Sequence, residues 1–122
     1  MSTNEPHKVA LVFYSLLEGP GNSATYRNLM FAQELMRHED DVSLVFDGAG
    51  SKALAEMAQP DHRFHGLFLS VKPRLRGVCH YCAKSYGVLA KVQAAELPLL
   101  GDDRGHASLR SLLQEGRQII NV

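Results

Sequence analysis

The sequence has no tryptophan, only two cysteines, and no apolar run approaching the roughly 18 residues that cross a bilayer. It has no excess of either charge, with 13 Lys and Arg facing 13 Asp and Glu. Each absence excludes something. Cys79 and Cys82, three positions apart, are not the disulfide framework of a small secreted domain. In a reducing compartment that spacing points to redox, sulfur or metal chemistry. Zero net charge argues against a DNA-coating protein, whose affinity needs a net basic surface, so no nucleic-acid partner is expected. Without a spanning segment, no membrane partner is expected either. The polar stretch Met1–His7 lacks the charged-then-apolar design of a secretory signal. A cytoplasmic location is therefore expected, with residues 1–6 flexible.

What is present is 122 residues, 45 % of them apolar, enough for one domain with a real core. Neutrality hides a polarised distribution. Residues 1–61 sum to −5, residues 62–95 to +6 and residues 96–122 to −1. The central stretch contains no acid at all, and it holds both cysteines and His62, His65 and His80. Such a stretch commonly forms a solvated basic face, yet it is where anion or thiolate chemistry would sit.

The periodicity predicts alternating strands and helices. Lys8–Tyr14 is a near-continuous apolar run, the pattern of a parallel strand buried on both faces. After a breaker-rich loop over Ser15–Ser23, Ser23 is expected to cap a helix beginning near Ala24, with Leu29, Ala32, Leu35 and Met36 on its inner face. Val42–Phe46 reads as the second strand, and Ser51 as the cap of a short helix over Lys52–Ala58. Phe64, Leu67, Phe68 and Val71 have helical spacing and stop at Pro73. Leu75–Val78 reads as a third strand running into Cys79-His80-Tyr81-Cys82. Helices follow over Ala83–Tyr86 and Val88–Glu96, a last one begins around Ser108, and Gln118–Val122 closes as a strand. The expected fold is a single α/β domain, a mostly parallel sheet of four or five strands flanked by helices in flavodoxin- or Rossmann-like layers.

The sharpest constellation is the CxxC at a strand-to-helix junction. Ligands and reactive groups of open α/β sheets collect beyond the carboxyl ends of the strands. A helix start and the basic neighbours Arg74, Arg76, His80 and Lys84 would favour a thiolate, the competent nucleophile and sulfur acceptor. Cys79 and Cys82 are thus the candidate catalytic residues. Ser15, Glu18, Asp47, Gly48, His80 and Tyr81 are expected to line the cleft around them.

Other readings compete. Both Cys could be structural, in a non-catalytic oligomeric binding or scaffold protein. A thioredoxin-like disulfide fits less well, because its CxxC follows the first strand. His62 and His65 with the CxxC supply a Cys2His2 set of the kind zinc accepts. Gly48–Ala53 matches GxGxxA, but no acid follows where a dinucleotide ribose would need one, so a tight turn is the better account and no cofactor is expected. His106 and Ser108 beside Asp102 and Asp103 read as helix-start residues rather than a triad.

Lys8–Tyr14, Val42–Gly50, Gly77–Val88 (GVCHYCAKSYGV) and Gly105–Val122, in that order, resemble the DsrE-like sulfur-relay family. The GVCxYCAxxxGV stretch is the specific part. The resemblance implies a small α/β fold, often trimeric or hexameric, and sulfur carried as a persulfide on a Cys eight residues before a Gly. That position is Cys79, before Gly87, with Cys82 as a second, resolving Cys. Tyr86-Gly87 stands where relay proteins usually carry Arg-Gly. The implied partners are sulfur-donor and sulfur-acceptor proteins.

Overall fold

Five short segments rich in Val, Leu, Ile and Phe form the frame of the molecule, seen in a computed structural model that describes residues 5–122. The expectation of flexibility for residues 1–6 therefore falls largely outside the described residues. Strands β1 (Lys8–Phe13), β2 (Asp41–Phe46), β3 (Leu75–Cys79), β4 (Leu99–Leu100) and β5 (Gln118–Asn121) make one sheet in the order β4-β3-β2-β1-β5. All four pairings are parallel. Lys8–Phe13 lies in register with Asp41–Phe46, so Phe13 and Phe46 stack with ring centroids 4.6 Å apart.

Alternation along β1 sends Val9, Leu11 and Phe13 to one face and Ala10 and Val12 to the other. The first face is large. Helices α1 (Pro20–Arg37), α2 (Gly50–Met57), α3 (His65–Val71) and α5 (Leu89–Ala94) cover it, burying Leu29, Ala32, Leu54, Met57, Phe68, Val71 and Val92. The second face is thin. There Ala10, Val12, Val45 and Cys79 pack under Leu112 of α6 (Leu109–Gln114) and Ala107. A sixth helix, α4 (His80–Ser85), follows β3 without a break.

Two expected caps are not used. Helix α1 starts at Pro20, whose fixed φ suits the first helical position, behind a left-handed Gly19. Ser23 is therefore inside the helix. Likewise α2 starts at Gly50, and the Ser51 hydroxyl is buried without a partner. Ser108 does cap α6, its Oγ accepting from Ser111 N–H at 3.3 Å. The two-residue β4 was not separately expected. Pro98 hides it, but the Pro98 carbonyl accepts from Val78 N–H at 2.9 Å and brings Leu99 beside Val78. Gly77 permits this approach, since a Cβ there would sit 2.6 Å from the Pro98 oxygen. The GxGxxA segment is explained by packing: a Cβ on Gly50 would lie 1.9 Å from the Phe13 carbonyl oxygen.

Candidate functional site

Cys79 is the last residue of β3 and the residue before α4, so backbone direction changes at its Cα. Strand alternation turns its sulfur toward the thin face, where it is fully buried. Cys82, one helical turn later, returns to the same region and is half-buried. Both thiols are free.

Three other connections reach the sulfurs from the carboxyl ends of neighbouring strands. The β4–α6 connection brings His106, whose Nδ1 lies 3.5 Å from Cys79 Sγ. The turn after β2 brings Asp47, whose Oδ1 accepts from the Cys82 thiol at 3.3 Å and from Gly48 N–H at 2.8 Å. The residue after β1, Tyr14, packs against the same cluster, near enough to Asp47 for the carboxylate to act on its phenol. His106 is held firmly: it exchanges backbone hydrogen bonds with Asp103 at 2.8 and 3.0 Å, and its ring packs on Tyr81 with centroids 4.3 Å apart. Tyr81 N–H in turn donates to the Gly105 carbonyl at 3.0 Å. A cleft of about 450 Å³ opens beside the site, lined by Asp47, Asp102, Asp103, His106 and Arg110 among others.

The electrostatics differ from the sequence expectation. Burial foremost, then the neighbouring Cys79 and the hydrogen bond to Asp47, push the Cys82 thiol up to about 12, against the opposing influence of Gly48 N–H. Cys82 is therefore a protonated donor at neutral pH. Burial and Asp47 also raise Tyr14. The basic stretch does not converge on the sulfurs. Arg76 donates to Ser43 Oγ and to Glu115, and Arg63 lies over the Phe64 ring. Among the described residues, the side chains bonded to the cysteines are an imidazole and a carboxylate.

Of the residues expected around the cysteines, Asp47, Gly48 and Tyr81 are at the site. His80 is exposed, Ser15 donates to the Val122 carbonyl at 3.4 Å at the end of β5, and Glu18 faces Lys52 at 3.9 Å on the surface. His62 and His65 are held elsewhere: His62 Nδ1 accepts from Phe64 N–H and His65 Nδ1 meets the Met57 carbonyl at 2.9 Å. Sequence reasoning placed His106 at a helix start and passed over Tyr14. The available signal for His106 was that it stands where the chain re-enters the sheet end, after a Gly.

Fold and site together define a small, five-stranded, all-parallel α/β protein with a dithiol–imidazole cluster at the strand ends. No family model matches the chain. It is 28 % identical over 117 residues to the uncharacterized protein MJ0733 of Methanocaldococcus jannaschii, covering 94 % of this chain and 95 % of that protein. The solved structure of a conserved protein of unknown function, BT1422 from Bacteroides thetaiotaomicron, superposes with a TM-score of 0.65 at 15 % identity. That match covers 93 % of this chain and 94 % of the other, and it establishes a shared fold.

Proposed function

We propose that the protein is a DsrE-like persulfide carrier of intracellular sulfur relay, a sulfurtransferase-like role with Cys79 as the carrying residue and Cys82 as the resolving one. One observation carries this reading. Two free thiols share a strand-end site with an imidazole, and one ligand atom from each of the three lies within 4.8 Å of the others.

The chemistry follows from the proton positions. Cys82 gives its hydrogen bond to Asp47, so Cys79, whose sulfur faces His106 Nδ1, is the nucleophile of this reading, and the imidazole is placed to accept its proton during attack. The Cys79 thiolate attacks the terminal sulfur of a donor persulfide; the donor thiol leaves, and Cys79 holds the sulfane sulfur. Release takes either of two balanced routes. An acceptor thiolate removes the terminal sulfur and regenerates the Cys79 thiol. Alternatively, Cys82 attacks Cys79 Sγ as its thiol proton passes to the departing sulfur, hydrogen sulfide leaves, and the resulting disulfide is reduced by a cellular dithiol. Burial of Cys79 shields the persulfide from water and oxidants, and sulfur enters past Cys82. A reducing cytoplasm keeps the pair available, and assembly into a homo-oligomer, trimer or hexamer by the same resemblance, belongs to this reading.

Intact-mass measurement after treatment with a sulfane-sulfur donor tests it. The expected result is a gain of one sulfur that survives Cys82→Ser and disappears in Cys79→Ser. Retention in Cys79→Ser with loss in Cys82→Ser would reverse the two roles, and no gain on the folded wild-type protein would end the carrier reading.

A further inference from the structure

Tetrahedral zinc binds thiolate sulfur at about 2.3 Å and imidazole nitrogen at about 2.0–2.1 Å, which sets sulfur–sulfur edges near 3.8 Å and sulfur–nitrogen edges near 3.5 Å. Cys79 Sγ and His106 Nδ1 already stand 3.5 Å apart. Cys79, Cys82 and His106 each offer one ligand atom within 4.8 Å of the other two. They come from the end of β3, the first turn of α4 and the β4–α6 connection, three segments that the sheet and the Asp103–His106 bridge hold in place.

We propose that these three residues form a Cys2His zinc site whose fourth position opens to the neighbouring cleft. Three aspartates, Asp47, Asp102 and Asp103, line that cleft against one arginine, Arg110, and give a divalent cation a favourable approach. Asp47 Oδ1, 3.3 Å from Cys82 Sγ, accepts the thiol hydrogen bond that metal binding replaces. Binding exchanges two thiol protons for one ion and involves no change of oxidation state. His62 and His65 take no part. Two thiolates with an imidazole suit zinc and cuprous ions alike, whereas the carboxylate-lined entrance favours the divalent ion.

The site stands independently of the sulfur chemistry, although zinc and sulfane sulfur would compete for the same thiols. The test uses the reduced, metal-free full chain. Cobalt(II) titration should give tetrahedral d–d bands and thiolate charge transfer at one ion per chain. Zinc should then displace the cobalt, and two protons per ion should be released. Cys82→Ser should halve the charge-transfer intensity. His106→Ala should weaken zinc in a chromophoric-chelator competition by at least about tenfold. His62→Ala and His65→Ala should change nothing. Both Cys82 and His106 have exposed atoms, and circular dichroism establishes that their variants fold. Absence of the tetrahedral cobalt spectrum, loss of binding on removing His62 or His65, or tight binding of cuprous ion with none of zinc would each overturn the proposal. Sulfur gain by the metal-free wild-type protein without a tetrahedral cobalt spectrum would overturn the zinc site and leave the carrier reading intact, whereas stoichiometric cobalt binding without sulfur gain would do the reverse, so the two fail separately.

Discussion

Asp47 Oδ1 accepts hydrogen bonds from a thiol and from the next residue's amide, and Tyr14 lies near the same carboxylate. This carboxylate is one of several influences on the Cys82 proton. Burial foremost and the neighbouring Cys79 hold Cys82 near 12, and the acceptor oxygen of Asp47 adds a smaller push in the same direction. Iodoacetamide should therefore label Cys82 slowly from pH 7 to 9, with the rate still rising above pH 10. Replacing Asp47 by Asn removes a raising influence. In Asp47→Asn, peptide-mapped labelling of Cys82 at pH 8 should be several-fold faster, with the pH profile shifted downward. Equal rates in the two proteins would show that Asp47 does not hold this proton.

At the level of elements, α6 is joined to the sheet by charge as well as by apolar contact. Arg76 of β3 donates to Glu115 just past α6 at 2.8 Å. Arg117 bonds Glu115 at 2.7 Å, Asp41 at 2.9 Å and the Val9 carbonyl at 3.2 Å. The acid-free stretch of residues 62–95 thus supplies a cation that closes the sheet's thin face. The Arg76 and Arg117 guanidiniums lower Glu115 from 4.5 to about 2. Its folded-state value is depressed, so its contribution is fully present above about pH 4.5 and is lost as the pH falls toward 2. Glu115 is a third exposed, and solvent screening limits the effect. Glu115→Gln should cost about 1 kcal/mol at pH 7 in urea denaturation. The difference from wild type should shrink when the measurement is repeated at pH 4 and pH 2.5. A constant difference across that range would assign the loss to packing.

For the whole molecule, the unequal cover of the sheet has a consequence for the thiols. Four helices protect the large face, while α6 and the loop before it shield Cys79 on the other. Leu112 is fully buried there. Leu112→Ala should cost about 3 kcal/mol, the usual range for a fully buried leucine that leaves a partly collapsed cavity. It should also speed alkylation of Cys79 under native conditions, because the thinner layer opens locally more often. Thermal or chemical denaturation together with Cys79 labelling checks both. Loss of stability with unchanged labelling would mean that Cys79 is reached from the α4 side instead. Among the described residues no helix is long and apolar enough to cross a membrane.

The sheet strands β1, β2, β3 and β5 were legible because short-range chemistry decides them: runs of β-branched and aromatic residues bounded by Gly, Pro and acids. The same holds for the helical stripe of Leu29, Ala32 and Leu35 and for Phe64, Phe68 and Val71, all of them buried. Ser23 and Ser51 misled because a cap depends on where the chain arrives from. Pro20, and the close approach of Gly50 to the Phe13 carbonyl, set those helix starts instead. By itself the sequence determined the α/β alternation, the strand-end position of Cys79 and the return of Cys82 one helical turn later. Only the tertiary structure decided what the thiols face. Asp47, His106 and Tyr14 come from three separate loops, and parallel pairing brings the ends of β1, β2, β3 and β4 to one edge, an effect of strand order that no local pattern encodes. The charge balance of the 62–95 stretch was likewise a property of the chain. Which acid each cation meets was fixed by folding, because ion pairs form across distances in sequence that composition does not measure.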